Sequence, residues 1–166
     1  MSVMLLLIAT VSFLSREVQP SKVIDSRGVA HHMAVYHTVA AKHCANTSCV
    51  NGVVNVPSYL PDNLSNSYYS DGKTFESIFD TSSSSVVTYA VREPIGKASI
   101  SFEVLTAGLL SIFEGHSLSV GYYDASLSRI ISRIPTAAPS SSQVTLPSPF
   151  GGKILPNGTP TILTRI

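Results

Sequence analysis

Histidine side chains can bind metals or act as general acids and bases. Four of the five histidines fall in one predicted helical segment. A helix presents two metal ligands on one face only at a spacing of three or four residues. No pair among these histidines has that spacing. We therefore expect solvated or capping histidines spread around a helix, and no metal site. The five are His31, His32, His37, His43 and His116.

Serine makes up about a sixth of the chain, so counting alone does not exclude a Ser/His/Asp triad. No G-x-S-x-G elbow is present, however, and His116 is the only histidine outside the helical segment. Asp71, Asp80 and Asp124 stand alone near turns, where such residues cap backbone N–H groups. We predict no catalytic residue, no cofactor and no enzyme activity. A small hydrolase built around His116 is the enzymatic alternative.

The glycines at 151 and 152, followed by Lys153, lack the spacing of a phosphate-binding loop. The sequence predicts a turn there.

Two cysteines, Cys44 and Cys49, are separated by four residues. Asn46, Thr47 and Ser48 between them are compatible with a turn, so the pair can close a small disulfide loop. Such a bond is expected in an oxidising compartment, and two ordinary thiols are the alternative. A zinc site would need further ligands, and only His43 lies nearby.

The low charge of the chain restricts the classes of partner that it can bind. Charged residues are 13% of the chain and the net charge is +1, whereas an average soluble protein has about 25% charged residues. A nucleic-acid-binding protein carries a basic excess that condenses on phosphates. We therefore expect no nucleic-acid partner.

The N-terminal segment, residues 1–15, holds no charged side chain, and residues 3–14 are largely apolar. A helix that spans the bilayer needs roughly twenty apolar residues. One interpretation is a removable signal peptide, although a positive n-region and a clear cleavage site are missing. A second is a short retained anchor with Arg16, Glu17 and Lys22 at the interface. A third is a buried helix of a soluble protein.

The first two interpretations place the rest of the chain outside the cytoplasm. The positive-inside rule argues mildly the other way, because Arg16, Lys22 and Arg27 follow the apolar segment.

A helix is predicted from residue 25 or 26 to residue 43. Val29, Met33, Tyr36 and Ala40 recur at the spacing of one helical stripe. We interpret Val29, Met33 and Tyr36 as contacts for partner subunits.

The rest of the chain is predicted to contain a mixture of strands, helices and loops. Short strands are expected at 52–56, 86–92 and 117–123, a helical turn at 75–79, and a core helix at 99–113 with Gly115 as its C-cap. Residues 82–85 predict a flexible loop, 127–134 a strand or short helix, 135–149 a linker or loop, and 159–166 a closing edge strand.

These elements predict an α+β fold, with N-terminal apolar and amphipathic helices followed by a small, mostly antiparallel sheet with one core helix. The expected division is a membrane anchor or signal-like segment (1–15), a helical stem (16–44), an α+β periplasmic domain (45–134), and a Pro/Ser-rich loop with a C-terminal strand (135–166).

This order of an apolar N-terminus, an amphipathic helix and a small Ser/Thr-rich domain resembles the small PilM proteins of plasmid-encoded type IV (thin) pilus systems. The resemblance covers most of the chain, with residues 1–43 as anchor and stem. It implies an inner-membrane component of the pilus assembly apparatus that supports conjugation, with its main domain in the periplasm and no catalytic residues. Its partners would be other pilus-assembly proteins and the membrane, and a homo-oligomer is compatible with this role.

A true pilin would carry a basic leader, a glycine before the processing site and an acid at the fifth mature position. Residues 1–14 show none of these, which favours an accessory role over incorporation into the fibre. The alternatives are an exported periplasmic or extracellular binding or adhesin-like module, or a minor pilin-like subunit.

Overall fold

The computed structural model describes residues 20–60, 74–95, 99–113, 119–132 and 143–166. They form an α+β fold, as predicted, with two helices and a seven-stranded antiparallel sheet. The helices are α1 (Pro20–Asn46) and α2 (Phe102–Ile112), with a short 3-10 helix at Val56–Tyr59. The strands are β1 (Gly52–Val54), β2 (Phe75–Asp80), β3 (Ser85–Ala90), β4 (Ser119–Asp124), β5 (Arg129–Ile131), β6 (Gln143–Thr145) and β7 (Pro160–Arg165).

The sheet consists of two three-stranded meanders joined by the last strand. Its order is β1-β2-β3-β7-β4-β5-β6, and every neighbouring pair is antiparallel. Leu163 of β7 pairs with Val87 of β3 on one side and with Ser119 of β4 on the other. The prediction that residues 159–166 form an edge strand is therefore wrong, since β7 lies at the centre.

Helix α1 packs on one face of the sheet through the predicted stripe. Val29, Met33, Tyr36 and Ala40 are all buried in a core shared with the strands. Tyr36 also meets Phe75 of β2 edge to face, with ring centroids 6.0 Å apart. The stripe is confirmed as a helical face, but Val29, Met33 and Tyr36 face the chain's own core and offer no surface to partner subunits. The helix is part of the domain core rather than a separate stem.

Helix α2 lies beside α1 on the same face. Ser101 caps its start by accepting a hydrogen bond from Val104 N at 3.3 Å. The two helices approach closely at Gly108, where an added Cβ would lie 3.2 Å from Ser26 O and 3.3 Å from Ala30 Cβ. The helix ends at a C-cap on Phe113, and the predicted cap Gly115 lies outside the described residues.

The opposite face of the sheet is covered by the chain that precedes β7. A second core cluster on this face includes Ile78, Tyr123 and Ile130 from the strands and Phe150 and Leu155 from the covering segment. Residues 150–153 form a tight turn closed by two backbone hydrogen bonds between Phe150 and Lys153. The turn predicted for residues 151–153 is confirmed.

Three segments depart from the local structure predicted for them. Residues 75–79 form strand β2 instead of a helical turn, because Phe75 and Phe79 enter one core and Ile78 enters the other. Residues 82–85 form a tight hairpin turn and the buried start of β3 instead of a flexible loop. The predicted 135–149 linker contains strand β6. Residues 127–134 contain strand β5, which is one of the two alternatives predicted for them.

Among the described residues, no helix combines the length and the apolar character needed to cross a membrane. The N-terminal segment, residues 1–15, lies outside them.

Candidate functional site

A buried histidine joins α1 to the middle of the sheet. His37 is 1% exposed. Its Nδ1 lies 2.9 Å from Thr88 Oγ1 of β3, and its Nε2 lies 2.7 Å from Thr164 Oγ1 of β7. The Thr88 hydroxyl also lies 2.6 Å from Ser77 Oγ of β2. One side chain of the helix therefore connects to three adjacent strands through a continuous series of hydrogen bonds.

The protonation state of His37 follows from its surroundings. Burial lowers the pKa of His37 from 6.5 to about 3, because an apolar environment disfavours the charged ring. The groups that face it from β2, β3 and β7 are the hydroxyls of Ser77, Thr88 and Thr164. A neutral imidazole donates through one nitrogen and accepts through the other, and hydroxyls satisfy both roles.

The contact between Thr164 and His37 has the distance of a nucleophile and its base. Two features argue against catalysis. A general base works best with a pKa near the operating pH, and burial moves the pKa of His37 far below neutrality. In addition, a triad histidine is oriented by a carboxylate, whereas the second nitrogen of His37 faces the hydroxyl of Thr88. The geometry therefore fits a structural role, in which His37 holds α1 against the sheet through hydrogen bonds.

The expectation of solvated histidines holds for exposed His31 but is wrong for His37. The missed signal is the spacing of His37, which follows Met33 by four residues and precedes Ala40 by three. His37 thus belongs to the apolar stripe itself. A polar residue on a buried stripe requires hydrogen-bond partners, and the threonines of β3 and β7 supply them.

A second polar cluster lies on the opposite face. Glu76 and Tyr89 are cross-strand neighbours of β2 and β3, and the Tyr89 hydroxyl donates to Glu76 Oε1 at 2.6 Å. Lys153 Nζ donates to the same oxygen at 2.6 Å. Burial, followed by the neighbouring Glu76 carboxylate, raises the pKa of Tyr89. Because Lys153 is well exposed, its ion pair contributes at most about 1 kcal/mol.

A buried carboxylate holds the β2–β3 hairpin. Asp80 Oδ2 accepts hydrogen bonds from the Ser82 hydroxyl at 2.6 Å, from Ser83 N at 2.9 Å and from the Ser83 hydroxyl at 2.7 Å. Its Oδ1 accepts from Gly151 N at 3.2 Å. Burial alone would raise the pKa of Asp80, but these hydrogen bonds outweigh it and lower the pKa.

The β4–β5 hairpin is also held by hydrogen bonds to an aspartate at the end of its first strand. Asp124 Oδ1 accepts from the Ser126 hydroxyl at 2.6 Å, from Ser126 N at 2.9 Å and from Leu127 N at 3.3 Å. Each loop ends in a serine with positive φ, 47° at Ser84 and 50° at Ser128. Both aspartates therefore cap turns, as predicted; Asp71 lies outside the described residues.

The flanking contacts of the two hairpins also match. Asn51 Oδ1 accepts a hydrogen bond from Thr81 N at 3.1 Å, and Asn157 Oδ1 accepts from Ala125 N at 2.8 Å. Each asparagine precedes a glycine and leads towards a strand, β1 or β7, that pairs with the first strand of the hairpin.

A disulfide between Cys44 and Cys49 joins the end of α1 to the segment before β1. Cys44 is buried in the helix-side core, and Cys49 packs against it. Beside the disulfide, the ring of His43 stacks on Tyr59 of the 3-10 helix with centroids 3.8 Å apart. The bond and the stacked pair fix the positions of α1, β1 and the 3-10 helix relative to one another.

No group of three histidine, cysteine, aspartate or glutamate side chains suited to a metal ion occurs within the described ranges. The hydrolase candidate His116 lies outside those ranges.

Comparisons of the chain with protein-family models, with curated proteins and with solved structures find no match. No residue role is therefore carried over from a relative.

Proposed function

We propose that this chain is a non-enzymatic component of a type IV pilus assembly apparatus that supports plasmid conjugation, held at the inner membrane with its main domain in the periplasm. The observation that carries the proposal is the Cys44–Cys49 disulfide, which follows an uncharged apolar N-terminal segment. Disulfides persist in oxidising compartments such as the bacterial periplasm. The apolar segment supplies a means of reaching that compartment and staying at its membrane.

The non-enzymatic part of the proposal is supported by how the reactive groups are used. His37 joins α1 to the sheet through hydrogen bonds, and Asp80 and Asp124 accept hydrogen bonds that stabilise the β2–β3 and β4–β5 hairpins. Each of these side chains is bonded to neighbours that belong to the fold. These three side chains hold elements of the fold together, and a stably folded domain suits an assembly component.

Transfer and fractionation experiments test this proposal. In donor cells that lack the chain, we expect pilus number and plasmid transfer to fall, and the full-length chain to restore both. A variant without residues 2–15 should fail to restore them, because it lacks the proposed anchor. Unchanged pilus number and transfer in the deletion strain would contradict the proposed role.

An exported binding module is the second candidate, and the exposed Tyr59 beside His43 favours it, since aromatic side chains are enriched at interfaces. Mass analysis of the N-terminus from fractionated cells separates the two. Intact Met1 in the membrane fraction supports the assembly component. A mature start near Arg16 in the soluble periplasm supports the exported module.

A further inference from the structure

One edge of the sheet combines exposed apolar side chains with an absence of charge. Strand β1 is the edge strand, and β2 is the only strand that pairs with it in the described part of the chain. Val53 of β1 is 53% exposed, and the flanking Val50 and Tyr59 are 80% and 46% exposed. From Cys44 to Leu60 the sequence contains no Asp, Glu, Lys, Arg or His.

Edge strands are usually protected from pairing with other chains by lysines, prolines within the strand, bulges or inward-pointing charges. Strand β1 is short, which limits pairing, but it carries neither charge nor proline. Protein interfaces are depleted of charge at their centre and enriched in aromatic side chains. The composition of this edge matches the centre of an interface better than a solvated edge.

We propose that β1 pairs in antiparallel orientation with β1 of a second copy of this chain, which gives a two-fold symmetric dimer with a continuous sheet. A two-fold axis makes each copy present the same surface patch to the other. A charged edge would then bring like charges together. The edge formed by β1 and its flanking residues has none, so the same surface can face itself without repulsion.

The register of β1 identifies the residue at the axis. Val53 is the middle residue of the strand and pairs with Ile78 of β2, whose side chain belongs to the face opposite the helices. In a pair centred on Val53, the two Val53 side chains would be direct cross-strand neighbours. Their Cβ atoms would lie about 4.5–5.5 Å apart. The proposal goes beyond the pilus assignment and does not depend on it.

The expected dimer is weak. A three-residue strand with two flanking side chains buries less than the roughly 1,000 Å² typical of a stable interface. We therefore expect association in the micromolar range or weaker, with a monomer–dimer equilibrium that depends on concentration.

Sedimentation and crosslinking of the full-length chain test the proposal, in a mild detergent that keeps the N-terminal apolar segments apart. Val53→Lys should raise the dimer dissociation constant at least tenfold, because it places two ammonium groups at the axis. Val104→Lys is the matched control, since Val104 is 42% exposed on α2, away from β1. The control should leave the dissociation constant unchanged.

Crosslinking supplies a second readout that does not require a charge at the edge. Under oxidising conditions Val53→Cys should form an intermolecular disulfide at least ten times faster than Val104→Cys, and peptide mapping should find the two introduced thiols joined to each other. A chain that stays monomeric at several hundred micromolar overturns the proposal. So does a dimer that survives Val53→Lys or crosslinks equally at both positions, because its contact surface would lie elsewhere.

Discussion

Asp80 and Asp124 occupy equivalent positions in two hairpins, β2–β3 and β4–β5, that flank the central strand β7. Each is the last residue of a strand, each accepts hydrogen bonds from the residues two and three positions further on, and each stands beside an N–H that donates to an asparagine. The equivalence extends to the far side of each loop. Ser84 O accepts from Ile166 N, and Ser128 O accepts from Leu146 N, both at 2.8 Å.

One difference between the two aspartates is a contact with a distant part of the chain, and it gives the first prediction. Only Asp80 also holds Gly151 of the covering segment. Asp80→Asn should reduce the free energy of unfolding by about 1–2 kcal/mol, because an amide replaces an acceptor oxygen with a donor and hydrogen bonds to charged groups are lost. Asp124→Asn should cost less, because its carboxylate is solvated. Urea denaturation of both variants checks the ranking, and an equal loss would contradict it.

Acid should destabilise the fold through His37. Its pKa is about 3 when folded and about 6.5 when unfolded. Between these values the unfolded chain binds a proton that the folded chain does not, so stability is fully present above pH 6.5 and falls as the pH drops towards 3. The slope approaches about 1.4 kcal/mol per pH unit for one proton.

Urea denaturation between pH 7.5 and 4.5 measures this slope above the range of most carboxylates. His37→Gln should flatten it, whatever the stability of the variant at pH 7.5, because glutamine does not titrate. His31→Gln is the control and should keep the wild-type slope, since His31 is exposed. Parallel curves for the wild type and His37→Gln would show that His37 is not the titrating group.

The glycine pair in the covering segment should respond unequally to alanine. At Gly151 φ is +55°, and a Cβ would overlap Ile78 Cγ2 and lie 2.6 Å from Phe79 O. At Gly152 φ is +81°, but the nearest atom, Asn51 Nδ2, lies 4.0 Å away. Gly152→Ala should cost about 1 kcal/mol from the backbone conformation alone. Gly151→Ala should cost more than about 3 kcal/mol through the added overlap.

Thermal unfolding of Gly151→Ala and Gly152→Ala separates the cost of the backbone conformation from the cost of the steric overlap. Similar losses at both positions would mean that the covering segment moves away from β2 without penalty.

The disulfide should stabilise the fold modestly, because it closes a loop of only a few residues. The chain-entropy relation gives roughly 2 kcal/mol for such a loop. Adding a reductant should therefore lower the unfolding temperature of the wild-type protein. The double variant Cys44→Ala/Cys49→Ala should start lower and show no response to the reductant. A wild-type protein that is insensitive to reduction would contradict the contribution assigned to the bond.

The features that could be predicted from sequence are those set by local periodicity. The stripe of Val29, Met33, Tyr36 and Ala40 identifies α1, and residues 99–113 contain α2. The Cys44–Cys49 bond, which the spacing allows, is present in the structure. The turn at residues 151–153 is equally local. All of these depend on residues within a few positions of one another.

The missed features depend on long-range contacts. In strand β2, Phe75, Ile78 and Phe79 have helical spacing, and only burial on both faces makes that pattern a strand. The hydrogen bonds of His37 reach Thr88 and Thr164, which are far away in sequence. The periodicity around His37 places it on the buried stripe but does not identify these distant partners.

The central position of β7 has a consequence for how the chain folds. Strands β1–β3 and β4–β6 are each local meanders, but β7 joins them and follows both in the chain. Until β7 has been synthesised, the inner edges of β3 and β4 lack the strand that pairs with both of them. Loop-closure entropy makes such distant pairings slow. We therefore expect the two meanders to come together late in folding, once β7 has paired with both β3 and β4.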